Sequence, residues 1–167
     1  MDYKEKRFEQ DIETSLLSAG GYTKGNMATY DKREAIDLPK LVSFIKATQE
    51  KEWERYEKIY GDHAEKKLLK RFNEEVNTHG LVHVLRKGIN DRGVKLKVCF
   101  FKPESTHNEK LVKGYASNLL TVTRQFAYST ENNNTIDMVL SLNGIPLVAL
   151  ELKNQITGQS VEHAKKQ

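Results

Sequence analysis

Thr135-Ile136-Asp137-Met138-Val139-Leu140-Ser141-Leu142-Asn143-Gly144-Ile145-Pro146-Leu147-Val148-Ala149-Leu150-Glu151-Leu152-Lys153 is nearly all apolar. Two β-favouring apolar runs meet at Asn143-Gly144, the strongest short-range hairpin signal because both residues tolerate positive φ. A hairpin of Thr135 to Leu142 and Ile145 to Lys153 is therefore predicted. Ionisable side chains interrupt the apolar run at three positions, Asp137, Glu151 and Lys153. An unpaired charge in a buried strand costs several kcal/mol, so charges at these strand ends call for a reason.

Glu151 and Lys153 stand two apart and project from one face of their strand. The face taken by Asp137 depends on the turn. If Asn143 and Gly144 make a two-residue loop, Asp137 sits opposite Leu150 and points away from Glu151. If Leu142-Asn143-Gly144 is a three-residue loop with Gly144 left-handed, Asp137 pairs with Ala149 and joins the face of Glu151 and Lys153. The sequence permits both. The second is adopted, with a bend or bulge at Asp137 as its fallback, because it also gathers Met138, Leu140, Val148, Leu150 and Leu152 on one apolar face.

Two converging carboxylates are hard oxygen ligands for Mg²⁺, a cation that retains several waters and takes few protein oxygens. Asp137 and Glu151 are the candidate ligands, with the backbone carbonyl of Leu152 completing the inner shell. Lys153 would orient a nucleophilic water or stabilise charge on a phosphate under attack. The plainer alternative makes Glu151 and Lys153 an exposed strand end and Asp137 a loop cap.

Outward from the hairpin, Val94-Lys95-Leu96-Lys97-Val98 alternates strictly and runs into Cys99-Phe100-Phe101, which predicts a strand. Leu119 to Tyr128 predicts another, separated from the hairpin by the polar loop Glu131-Asn132-Asn133-Asn134. Before Gly88 the period is helical. Tyr3 to Ala19 carries Phe8, Ile12, Leu16 and Ala19 on one face; Asp37 caps a long helix running to Tyr60, with Pro39 in its first turn; Asp62 and Thr78 start two more. The predicted fold is α/β, a mixed sheet of Val94–Phe101, Leu119–Tyr128 and the hairpin, flanked by the first helix and a carboxy-terminal one.

The chain has 167 residues, 38% apolar and 30% charged, and no apolar run long enough to span a bilayer. One domain is expected. The opening segment, Met1 to Gln10, is charged and lacks the apolar stretch of a signal peptide, so a cytoplasmic protein with no membrane association is expected. The single cysteine, Cys99, reads as a small apolar strand residue. Of five histidines only His79 and His83 stand at i, i+4, and zinc is disfavoured. Net charge is +4 with a pI near 9.0. Arg86, Lys87, Arg92, Lys95, Lys97 and Arg124 have few acids nearby in sequence and form a candidate track for a DNA backbone; a solvated basic face is the alternative.

At Val122-Thr123-Arg124-Gln125-Phe126, Ile136-Asp137, Asn143-Gly144-Ile145-Pro146, Glu151-Leu152-Lys153-Asn154 and Thr157-Gly158-Gln159 the chain resembles the N-terminal endonuclease domain of the R (restriction) subunit of type I restriction-modification enzymes. Phe8-Glu9-x-x-Ile12 and Gly21-Tyr22 resemble that family's opening helix. The resemblance implies a restriction-endonuclease-like fold of the PD-(D/E)xK superfamily. It also implies a metal site of Asp137 and Glu151, a catalytic Lys153, and Glu9 as a helix-borne acid reaching the same metal. Val161 to Gln167 reads as a helix cut short, so residues 1–167 are expected to be the nuclease domain at the start of a longer motor subunit. ATP is implied only for that downstream motor, since no Gly-x-x-x-x-Gly-Lys-Ser/Thr phosphate loop occurs here.

Partners implied by the resemblance are double-stranded DNA and the modification and specificity subunits of a restriction complex. Two other readings compete: a resolvase or repair nuclease of the same superfamily, and a non-catalytic basic module for DNA binding or subunit docking.

Overall fold

The computed structural model describes residues 3–152. In chain order the elements are α1 (Tyr3–Ser18), β1 (Thr23–Lys24), α2 (Leu38–Thr48), α3 (Glu50–Tyr60), a 3-10 turn (Gly61–His63), α4 (Ala64–His79), α5 (Leu81–Lys87), β2 (Ile89–Asp91), β3 (Val94–Leu96), α6 (Glu109–Ala116), β4 (Leu120–Ala127), β5 (Thr135–Leu142) and β6 (Ile145–Leu150). The α/β expectation holds. A four-stranded sheet runs in the order β1-β4-β5-β6, with β1 parallel to β4 and β5 and β6 joined as a hairpin; β2 and β3 form a separate two-stranded sheet. The carboxy-terminal helix and Lys153 lie outside the described residues. No described helix is long and apolar enough to cross a membrane.

The chain divides into two compact units. Of the described residues, the first comprises 3–28, 120–141 and 146–152. Here α1 packs on β4, and β4 and β5 bury Val122, Phe126, Met138 and Val139. Met138 and its neighbour Val139 are both buried, as befits an inner strand covered on two faces. Leu147 and Val148 of the edge strand β6 are exposed, so Val148 does not join the apolar face expected for it. At the end of β1 the Gly25 amide donates to Val122 O at 2.8 Å. A Cβ on Gly25 would overlap Thr123 Oγ1, so any larger residue here would force the Thr123 side chain to move.

The second unit comprises Thr29–Leu119 and Leu142–Ile145. Its core is helical: Leu41, Ile45, Tyr56, Leu68 and Val84 are fully buried, together with Ile89 and Leu96 of the small sheet. Asp37 caps α2 by accepting from Lys40 N, and Pro39 sits in the first turn, both as predicted. The helix predicted to run from Asp37 to Tyr60 breaks at Gln49, whose φ of −143° interrupts it. Asp91 accepts the hydroxyls of Tyr56 at 2.9 Å and Tyr60 at 2.8 Å, which ties α3 to β2. Burial, followed by these bonds to Asp91, pushes both phenols above their ordinary range.

Val94–Phe101 requires correction. Only Val94–Leu96 is strand, and it pairs with β2 rather than joining the four-stranded sheet. Beyond it, backbone groups of Lys97, Val98 and Phe100 are paired with amide side chains. Gln49 Oε1 accepts from Lys97 N at 2.7 Å and Gln49 Nε2 donates to Lys97 O at 2.8 Å. Asn143 Nδ2 donates to Val98 O, and Asn118 both accepts from Phe100 N and donates to Phe100 O. Extended backbone must have its polar groups paired, and three carboxamides do here what a neighbouring strand would otherwise do.

Candidate active site and its surroundings

Asn143 has φ 52° and Gly144 φ 85°, so the hairpin closes through a two-residue turn with both residues left-handed. The three-residue loop expected from the sequence is not formed. Asn143 is fully buried in the second unit, where its Oδ1 accepts from Leu119 N at 2.7 Å and its Nδ2 donates to Val98 O at 2.9 Å and to Asn118 Oδ1 at 3.1 Å. Gly144 O accepts from Asp37 N at 2.9 Å, and a Cβ on Gly144 would fall 2.4 Å from Asp37 O. The loop is fixed by these bonds, which reward a left-handed Asn143.

With uninterrupted pairing, this turn sets Asp137 across from Leu150, not Ala149. β6 ends at Leu150, however, and the Asp137 carboxylate meets the chain just beyond: Oδ2 accepts from the Leu152 amide at 2.7 Å. Asp137 is half-buried and its Oδ1 is engaged by no described residue. Glu151, exposed, precedes that amide directly. Asp137 is thus tied to the Glu151-Leu152 segment by a charge-assisted bond rather than through a shared strand face. Among the described residues, no group of three or more His, Cys, Asp or Glu is placed to hold a metal ion. Asp137, Glu151 and the Leu152 carbonyl are all hard oxygen donors, a set that fits Mg²⁺.

Glu9, on α1, is held by side chains of β4. Its carboxylate is 1% exposed, with Oε2 3.2 Å from Arg124 Nε and Oε1 accepting from Gln125 Nε2 at 3.1 Å. Consecutive strand residues normally face opposite ways. Gln125 has φ 48°, and this left-handed kink in β4 turns both Arg124 and Gln125 toward α1. Arg124 also reaches Glu13 Oε2 at 3.4 Å. Both oxygens of Glu9 are thus engaged by β4 side chains, and the Arg124 guanidinium is paired with the acids Glu9 and Glu13. A glutamate among apolar helix positions was the available signal, but its partners depend on an unusual backbone conformation.

The other basic residues belong to the second unit. Arg86 and Lys87 are exposed in the last turn of α5. Arg92 sits in the β2–β3 turn with its guanidinium 5.2 Å from the Tyr60 ring, Lys95 is exposed on β3, and Lys97 follows it half-buried. Cys99 is buried and its thiol donates to Leu85 O; burial pushes its pKa up to about 11, so it is no thiolate nucleophile at neutral pH.

No curated protein and no solved structure matched the chain. The family described as type I restriction enzyme R protein N terminus matches residues 2–167. That span takes in α1, the kinked β4, the hairpin and the Glu151-Leu152-Lys153 run. The chain therefore belongs to the family of type I restriction enzyme R protein N-termini.

Proposed function

We propose that this chain is the DNA-cutting part of its R subunit, a Mg²⁺-dependent endonuclease of the PD-(D/E)xK kind. The observation that carries the reading is the Asp137 Oδ2 to Leu152 N bond, which ties the hairpin's first acid to the Glu-x-Lys segment in a member of this family. Asp137, Glu151 and the Leu152 carbonyl would hold the metal. When bound, Mg²⁺ lowers the pKa of a coordinated water and neutralises charge on the phosphate. The Leu152 amide holds the Asp137 carboxylate in orientation, leaving Oδ1 to act as a ligand. Lys153 would bring an ammonium to the phosphate, where developing negative charge makes it most effective.

The substrate would be double-stranded DNA, reached in the cytoplasm in a complex with modification and specificity subunits. Cleavage would be independent of local sequence, with ATP used by a motor elsewhere in the R subunit. Arg86, Lys87, Arg92, Lys95 and Lys97 would meet phosphates rather than bases.

The test uses the full-length R subunit assembled with its partners. Asp137→Ala, Glu151→Ala and Lys153→Ala should each reduce DNA cleavage by about a hundredfold or more, while ATP hydrolysis continues. Normal cleavage by either the Asp137→Ala or the Lys153→Ala complex would refute the assignment.

A further inference from the structure

The second unit contains a cleft of about 410 Å³ whose lining includes Gln49, Glu52, Arg55, Lys95, Lys97 and Lys110. Four of these are cations and one is an acid. Glu52 is already matched, with Lys110 Nζ 3.4 Å from its Oε1. Arg55, Lys95 and Lys97 have no carboxylate within salt-bridge distance among the described residues. Cations gathered around a concavity without counter-charge repel one another, and an anion entering there relieves that repulsion.

The cleft is also built rather than accidental. Gln49, itself buried, clamps the Lys97 backbone from both sides. The Lys97 ammonium stands 5.0 Å from the Phe100 ring centroid, which shelters the side chain without neutralising it. Lys95 and Lys97 are two residues apart in extended chain and so repeat along one side at roughly 7 Å. Arg55 approaches from α3 and Lys110 from α6.

We infer that this cleft is a phosphate-backbone site on the second unit, taking a short run of DNA phosphodiesters. A ladder of separated cations suits a ligand whose charges also repeat, more than a single carboxylate or phosphate. Lys95 and Lys97 here act in one cleft with Arg55 and Lys110, residues whose place is visible only once α3, α6 and β3 are folded together. The inference rests on DNA as the substrate, though not on which residues cut it.

Binding is measured with the chain in metal-free buffer, where no cleavage interferes, using a fluorescent DNA duplex over a series of salt concentrations. Lys95→Ala/Lys97→Ala and Arg55→Ala/Lys110→Ala should each weaken binding equally for unrelated sequences. Each removed phosphate contact should lower the slope of log affinity against log salt by about 1. Because no metal is present and no strand is cut, the result does not depend on Asp137 or Glu151, which separates failure of this site from failure of the nuclease assignment. Unchanged affinity and slope in variants with parental circular dichroism would overturn the inference. So would equal competition by polyglutamate at matched charge, which would mark the cleft as a dock for an acidic protein surface. Loss of inorganic triphosphate binding with duplex binding retained would also overturn it.

Discussion

Replacing Arg124 by methionine should destabilise the chain by about 3 kcal/mol, as measured by denaturant unfolding. Arg124 lies across two buried acids, Glu9 and Glu13, and its removal strands the Glu9 carboxylate at 1% exposure with only Gln125 to hold it. Breaking a buried pair on one side costs more than the pair's net worth, because the remaining charge has lost both water and partner. The Arg124 side chain is 27% exposed, so solvent screens the pair in part and keeps the loss at the low end of the range for buried pairs. Pairing Arg124→Met with Glu9→Gln should recover a good part of the loss. Gln keeps an acceptor for Gln125 and removes the stranded charge, so the double variant should be more stable than the sum of the single effects. Strict additivity would mean that the ion pair is not what joins α1 to β4.

A second large effect is expected at Asn143. Asn143→Gly keeps the left-handed turn accessible but removes three side-chain hydrogen bonds, to Leu119 N, Val98 O and Asn118 Oδ1. Exposing buried backbone groups without partners costs about 1–3 kcal/mol each, partly offset where water enters, and a loss of about 3 kcal/mol overall is expected. Asn143→Ala should lose about 1 kcal/mol more, because alanine must also take positive φ. Equal losses for the two would show that the turn changes conformation when the carboxamide is removed.

The hairpin was legible because Asn-Gly between two apolar β-favouring runs has few other structural outcomes. Its turn length was not. Both loops satisfy the local chemistry, and the choice between them is made by Leu119 and Val98, neither of which is near Asn143 in sequence. The same reason explains the Val94–Phe101 segment. Alternation reports that Val94, Leu96 and Val98 are buried, which they are, but carries no information about what pairs with the backbone, and distant Gln49, Asn118 and Asn143 supply that pairing.

At the candidate site, Asp137 could be read from the cost of placing a charge in an apolar strand. Glu9 was singled out only by the family resemblance, and its partners could not be named. The left-handed Gln125 that brings Arg124 and Gln125 to the same carboxylate leaves no mark in composition or periodicity. Arg55 and Lys110 were left out of the candidate track for a related reason. They lie on separate helices, and only tertiary folding places them beside Lys95 and Lys97.

The most direct test of the metal centre is anomalous X-ray scattering from crystals of the full-length subunit soaked in Mn²⁺, which takes the same oxygen ligands as Mg²⁺. One Mn²⁺ peak is predicted within bonding distance of Asp137 Oδ1, a Glu151 carboxylate oxygen and the Leu152 carbonyl, and it should vanish in Asp137→Ala crystals. A fully soaked crystal with no peak at Asp137, or with a peak that persists in the Asp137→Ala variant, would contradict the assignment of Asp137 and Glu151 as the metal-holding pair.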